Sequence, residues 1–357
     1  MNFFTHNLFS SKYRAFGLEI KSSSIKAAWL KKKKNKFRLM ACGRKIPSRE
    51  NVQSDRVINP QKLAEEIRYL LESAQPKPIK IKNAIVSIPE ARAFIRTIQI
   101  PKMSYNEAKE AVKWETEANI PISVDRVYID WQVISTNVDK EDVLVAAVPK
   151  DVVDSYFETV RLAGLSPLVM EIDAIATIRS LTRNINTEAP VLIADIGAGS
   201  TSFAICQNQI PYFTSSIPLS GDSFTEVLQK ELGVGWEKAE EIKFQFGAGK
   251  ENTNDVHDKL LDPLIENLAA EIEKSIIFYS ESICKVEKVQ KVILSGGGAL
   301  LHGLPKKLEE RLKIEVVMGD PAYQIDTKSF PYEVSPRDLL SYSTVLGLAL
   351  REINYGR

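Results

Sequence analysis

Two short stretches of this chain carry the residue types that hold phosphate. "VLIADIGAGSTSFAIC", residues 191–206, runs an apolar segment into a turn of glycine, alanine and serine. "AFGLEIKSSSIKAAWL", residues 15–30, follows the same plan. Laid over each other, Glu19 falls on Asp195, Lys21 on Gly197, Ser24 on Ser200 and Ala28 on Ala204. A strand–turn–strand with a small-residue turn can aim several backbone N–H groups at one anion. Glycine lets the anion come close, and hydroxyls add donors. In the later copy Gly197, Gly199, Ser200 and Thr201 form that turn; in the earlier one Ser22, Ser23, Ser24 and Lys26 supply the donors. Asp195, at the end of its strand, is placed to hold a hydrated Mg²⁺ or orient an attacking water, with Glu19 at the matching position. An ordinary β-turn explains either hairpin alone. Their matched positions favour a polyphosphate clamped from both sides.

Two further stretches fit that chemistry. "VILSGGGALLHGLPKKLEERL", residues 292–312, reads as a buried strand, a glycine triplet and a helix. Gly296, Gly297 and Gly298, with Leu301 just beyond, let the backbone approach a ring or a ribose; Gly303 turns the chain and Pro305 starts the helix. In "EKAEEIKFQFG", Glu240 and Lys243 stand at i, i+3 on one helical face and can reach the hydroxyls of one ribose, or pair with each other. "FGAGKE", residues 246–251, is not a P-loop: Glu251 stands where Ser or Thr is needed, and the first glycine is missing. His6, His257 and His302 make no cluster, and Cys42, Cys206 and Cys284 form no C-x-x-C pair, which argues against metal or disulfide chemistry.

The elements that must position these residues are legible in outline. Each copy predicts a three-stranded meander, the first continuing into "KFRLMACGRKI" past a solvated tip at Lys31–Lys34. A duplication of this length organises the whole chain. "NPQKLAEEIRYLLESA" has helical periodicity, with Leu63, Ile67 and Leu70 on one face, and "KNAIVSIP" reads as a buried strand. Residues 92–163 have no counterpart in the second half and read β-α-β-β-α. There Ser104 and Glu107 predict a capping box, and Gly164 ends the last helix. The expected lobes are therefore 1–91 with 164–189, and 190–357. The first carries an inserted α+β subdomain at 92–163, the second a helical insertion at about 222–288, and the C-terminal helix can pack on the first lobe.

The 357 residues suffice for two cores, and a net charge of +1 gives no bulk attraction to nucleic acid. No apolar run reaches the length of a membrane span, and "MNFFTHNLFSSKYR" has no signal-peptide core. Phe3, Phe4, Leu8 and Phe9 read as a tail.

The ordered set of two hairpins, a ribose-side helix and a GGG turn resembles the actin-like ATPase superfamily, in which two related halves close on a nucleotide. "IQIPKMSYNEAKEAVKWETEANIPISVDRVYIDWQVI", "SIPLSGDSFTEVLQKELGVGWEKAEEIK" and "SGGGALLHGLPKKLEERLKIEVVMGDP" narrow the likeness to PilM, the type IV pilus assembly family, from about residue 15 to 352. That resemblance implies an α/β duplicated actin-like fold, two lobes around a cleft, with ATP or ADP and Mg²⁺ as ligands and at most slow ATPase activity. It implies a cytoplasmic scaffold held at the inner membrane by the N-terminal peptide of a PilN-like protein, in a groove between main body and inserted subdomain. Pilus motor ATPases and self-association follow as further partners, and the inserted strand "AFIRTIQIP" with Trp114 and Ile120 as groove candidates.

The chain departs from the family at one place. Where the first hairpin usually reads D-I-G-S-S-S-x-K, this one has "EIKSSSIK". Glu19 adds a methylene, about 1.5 Å of reach, and Lys21 puts a side chain where the turn has none. A nucleotide-free adaptor of the same fold is therefore the alternative. A sugar-kinase-like enzyme lacks a general-base Asp in residues 60–100, and a filament like FtsA lacks an amphipathic anchor in "REINYGR".

Overall fold

A computed structural model describes residues 14–34, 36–120, 122–246, 256–283, 287–326 and 339–354. Phe3, Phe4, Leu8, Phe9, Cys284, the stretch beyond Phe246 that resembles a P-loop and the final residues 355–357 lie outside them. The first repeat forms β1 (Phe16–Ile20), β2 (Ile25–Lys33) and β3 (Lys36–Lys45); of the expected tip, Lys31–Lys33 are exposed strand residues paired with β3, and only Lys34, left-handed at φ 56°, lies in the turn. A short hairpin, β4 (Val52–Gln53) and β5 (Arg56–Val57), leads to α1 (Pro60–Glu72). Asn59 caps α1 by accepting the Lys62 amide, and Leu63, Ile67 and Leu70 are its buried stripe. Then come β6 (Asn83–Ile88), β7 (Phe94–Pro101), α2 (Tyr105–Asn119), β8 (Val127–Thr136), β9 (Lys140–Pro149) and α3 (Lys150–Leu162). At the start of α2 Ser104 accepts the Glu107 amide while the Glu107 carboxylate accepts the Ser104 amide at 2.9 Å, the reciprocal box read from the sequence. β10 (Ser166–Ile172) runs directly into α4 (Asp173–Leu181).

The second repeat is β11 (Val191–Ile196), β12 (Thr201–Gln207) and β13 (Ile210–Ile217), followed by α5 (Gly221–Leu232), α6 (Trp236–Phe246) and α7 (Val256–Phe278). β14 (Lys291–Ser295), α8 (Leu304–Leu312), β15 (Glu315–Met318), β16 (Ile325–Asp326) and α9 (Ser343–Asn354) complete the order.

The duplication is written in the sheets. One has the order β10-β6-β1-β2-β3-β16, the other β15-β14-β11-β12-β13-β7-β9-β8. Five strands of each match one for one. β1–β2 and β11–β12 are antiparallel, while β1–β6 and β11–β14, like β6–β10 and β14–β15, are parallel. Even the turn hydrogen bonds agree: Lys21 N–H donates to the Ser24 carbonyl at 3.0 Å, and Gly197 N–H to the Ser200 carbonyl at 2.9 Å.

The segment with no counterpart divides between the sheets. β7, β9 and β8 continue the second sheet through one bridge, Arg96 to Phe213, although their chain neighbours lie in the first. α3 leaves them and packs on α1 and β10, where Tyr156 and Val160 join the first core. Sequence order hides this split, since α3 follows β9 without a break. α5, α7 and α8 cover the second sheet around Phe224, Leu228, Leu268 and Leu304.

α9 closes the first sheet, lying on β1, β2, β6 and α4. The approach is so close that a Cβ on Gly347 would stand 1.8 Å from the Ala176 carbonyl oxygen, and one on Gly17 2.5 Å from that of Val345. Buried Arg351 of α9 pairs with Glu171 of β10, which Arg179 also grips at 2.6 Å. Burial alone would push Glu171 up; the Arg179 and Arg351 guanidiniums outweigh it and hold the carboxyl below its usual range. No helix among the described residues is long and apolar enough to cross a membrane.

Candidate functional site

A cavity of about 910 Å³ opens between the two halves. Ser22, Ser23, Arg44 and Arg49 line it from the first. Gly199, Gly221, Glu240, Lys243, Gly297 and Gly298 line it from the second, and Tyr342 closes it ahead of α9. The two hairpin turns, the triplet and the helix of Glu240 and Lys243 thus meet in one place. Gly199 and Gly297 face open space where a Cβ would stand, so the backbone itself is the wall.

The other expected residues sit behind that wall. Gly197 spends its N–H on the turn and accepts the Gly221 N–H at 2.8 Å, tying α5 to the hairpin. Thr201 is buried and donates its hydroxyl to the Leu219 carbonyl at 2.8 Å. Ser24 and Leu301 are buried, and Ser200 gives its carbonyl to the turn. Gly296, at φ 80°, lets the chain pass Ile196, whose carbonyl oxygen would lie 2.3 Å from a Cβ. Glu240 and Lys243 are paired to each other, and Lys243 also donates to the Gly221 carbonyl at 3.0 Å and to the Thr225 hydroxyl at 2.7 Å.

In the first hairpin the chain supplies its own anion. The Ser22 amide and hydroxyl both donate to Asp55 Oδ1, at 2.7 and 2.8 Å. Asp55 sits in the β4–β5 turn with left-handed backbone, φ 55°, and its carbonyl accepts the buried Tyr156 hydroxyl at 3.2 Å. Nothing in the sequence links position 55 to position 22.

The chain supplies its own cation as well. Lys21 Nζ lies 3.1 Å from Asp173 Oδ2, 3.7 Å from Glu19 Oε1 and 3.8 Å from Asp195 Oδ2. Lys26 holds the other Glu19 oxygen at 3.2 Å, and this whole cluster, Lys21, Lys26, Glu19, Asp173 and Asp195, lies at the base of the cleft beside Ser22 rather than in the cavity lining. Burial pulls the Lys21 ammonium down, but Asp173, Asp195 and Glu19 outweigh it and hold the pKa well above the ordinary lysine value. Lys26 has one carboxylate against burial and Lys21, and its pKa is lowered. Asp173 was invisible as a site residue; its one signal is an acidic residue ending the apolar run "LVMEID".

A nucleotide fits the residues present: the glycine wall leaves room, and Arg44, Arg49 and Lys243 line the cavity. A magnesium ion on Asp195 and Glu19 does not, because the Lys21 ammonium already stands between them. Its carboxylate contacts of 3.1–3.8 Å suit an ammonium, whereas bound Mg²⁺ keeps oxygens at about 2.0–2.1 Å. Among the described residues no group of His, Cys, Asp and Glu is arranged to hold a metal ion.

Comparison with known proteins places this arrangement. The family described as "Type IV pilus assembly protein PilM" matches residues 17–353. The chain belongs to the PilM family. A solved PilM–PilN type IV pilus biogenesis complex superposes with a TM-score of 0.83 at 27% identity, over 96% of this chain and 99% of that one. MreB5 of Spiroplasma citri, solved with AMPPNP, has a TM-score of 0.54 at 12% identity over 96% and 97% of the two chains, a likeness of fold. The cell division protein FtsA of Streptococcus pneumoniae is 21% identical, over 95% of this chain and 85% of that protein. As in these relatives, the PilM fold here is the duplicated actin-like one, two lobes on a shared cleft.

This PilM-family chain has a second cavity, about 520 Å³, where β7 and β9 meet the main body. Arg92, Arg96, Ile122, Arg126 and Thr214 line it, with Glu90 among them. Trp114 and Ile120 do not. Trp114 is 70% exposed on the outer face of α2, whose inner residues Ala108 and Val112 pack on β7 and β9, and Ile120 caps that helix. Glu90 is joined to the first site: its backbone N–H donates to Asp173 Oδ1 at 2.9 Å. Burial, seconded by Asp173, pushes its carboxyl from 4.5 up to about 8, against the hydroxyls of Thr214 and Ser216. A carboxyl with a raised native pKa binds more protons folded than unfolded, so its contribution to stability falls as pH climbs from about 4.5 to 8. Glu90→Gln is therefore expected to stabilise the protein at pH 8 by on the order of a few kcal/mol and to change little at pH 5. Urea unfolding at both values checks this; an equal shift at each would contradict it.

Proposed function

We propose that this chain is a nucleotide-binding scaffold of type IV pilus or related secretion assembly. In this reading the cleft takes ATP or ADP, and the second cavity takes the N-terminal peptide of a PilN-like inner-membrane protein. The chain then sits on the cytoplasmic face of the membrane through that partner, within reach of motor ATPases. The observation that carries the reading is the convergence of both hairpin turns, the glycine triplet and Lys243 on one cavity of about 910 Å³. Membership of the PilM family and the match to a PilM–PilN complex support the partner. Calorimetric titration with ATP tests the first half: saturable binding supports it, and its absence, with peptide capture intact, leaves the nucleotide-free adaptor, which Asp55 and Lys21 favour.

The groove makes its own prediction. Ile122 and Arg126 line it from the inserted segment, and a partner peptide has to pass both. Ile122→Asp with Arg126→Glu is expected to weaken capture of a synthetic PilN-type N-terminal peptide by at least about tenfold. Fluorescence anisotropy reads it; unchanged affinity would move the partner to another surface.

A further inference from the structure

We propose that Lys21 is the resident cation of the cleft, so that the site takes its polyphosphate ligand without a divalent metal. The proposal rests on the nucleotide reading of the cleft. It goes beyond it by naming the ionic form bound and the residue that fixes that form.

Three carboxylates from three elements, Glu19 of β1, Asp173 of α4 and Asp195 of β11, converge on one ammonium. Their oxygens would otherwise be close like charges in a site that is 3% exposed at Glu19 and 5% at Asp173. Such a cluster either binds a cation or takes up protons. Here the cation is tethered by its own side chain, so it is present at an effective concentration that a free ion at millimolar levels does not match. A divalent ion entering the same space would face the ammonium at contact distance in a poorly solvated site, where like-charge repulsion is strong.

The matched copy sharpens the point. At Gly197 the same turn position has no side chain, yet the turn bond is unchanged, 2.9 Å against 3.0 Å at Lys21. Lys21 has therefore added a charge without disturbing the hairpin. Lys26 supplies a second ammonium on Glu19, so three carboxylates and two ammoniums leave one negative charge in excess. With Ser22 also committed to Asp55, the first hairpin has both its anion and its cation from within the chain. The positive charge lining the cavity then comes from Arg44 and Arg49, because Lys243 is met by Glu240 on the same wall.

Two titrations test this on the full chain. In the first, ATP is titrated by calorimetry with Mg²⁺ and, separately, with EDTA. Affinities within about threefold are expected, and a preference for Mg²⁺ of tenfold or more overturns the proposal. In the second, Mn²⁺ alone is followed by electron paramagnetic resonance against wild type and Lys21→Gly. The wild type is expected to leave the free-ion signal intact, and the variant to quench it at one site. Mn²⁺ uptake by the wild type with the affinity of the variant overturns the proposal. If Lys21→Gly does not fold, the wild-type arms still decide. If ATP binds in neither buffer, the nucleotide reading falls alone, and wild-type Mn²⁺ uptake judges Lys21 separately.

Discussion

Gly297→Val is expected to lower ATP affinity by at least about tenfold while leaving the thermal midpoint unchanged. The residue opens the turn at 297–300 with no left-handed backbone, and a Cβ there meets nothing within 4 Å. Valine can be accommodated by the fold, and its methyls then occupy the wall of the cavity. The neighbouring glycines serve another purpose. A Cβ on Gly296 would stand 2.3 Å from the Ile196 carbonyl oxygen, and one on Gly298 2.3 Å from Ile196 Cγ2. Substitution at those two strains the backbone or the core, so they lower stability whether or not a ligand binds. Calorimetry beside a melting curve separates the two effects. Undiminished affinity in Gly297→Val would place the ligand elsewhere.

Gly347→Ala is the largest stability change expected. Its Cβ would lie 1.8 Å from the Ala176 carbonyl oxygen and 2.5 Å from the carbonyl carbon, both backbone atoms that no rotamer change can move. To keep alanine, α9 must lift from α4. That strains the Thr177–Thr344 hydroxyl contact of 3.0 Å and the buried pairing of Arg351 with Glu171. Overpacking of this kind typically costs about 1–3 kcal/mol, and an exposed carboxylate partner adds to it, so a loss of roughly 3 kcal/mol or more in urea unfolding is expected. Gly235→Ala, with nothing within 4 Å of its Cβ, is the control and should stay within about 0.5 kcal/mol. Equal effects from both would show that α9 does not bind as closely as drawn.

What could be read in advance follows the range of the forces involved. The hairpins were legible because a small-residue turn between apolar strands is a local pattern, and the duplication because both copies keep it in register. The Ser104 box and the left-handed Gly164, at φ 79°, are local too. Asp173 and Asp55 were not legible. One reaches Lys21 from the far edge of the first sheet, the other bonds Ser22 across 33 residues, and neither carries a mark of its destination. The seam from β7 to β13 rests on one residue pair and has no sequence signature. Lys21 could be seen as a departure but not interpreted, because its meaning lies in three carboxylates of distant elements.

The seating of α9 bears on how the protein is made. Residues 16–45 leave the ribosome long before residues 322–350, but the face of their sheet carrying Ala28, Leu30 and Leu39 is covered, among the described residues, by Ala322, Ile325, Leu339, Val345, Leu346, Ala349 and Leu350. Until those residues emerge, an apolar sheet face stays wet throughout synthesis of everything between. One face of the second sheet, by contrast, finds its covering helices within its own stretch of chain, and the other packs on α4, which is made before it. The half made first is thus the half finished last, and the interval with its apolar face open is the stage of synthesis most exposed to aggregation.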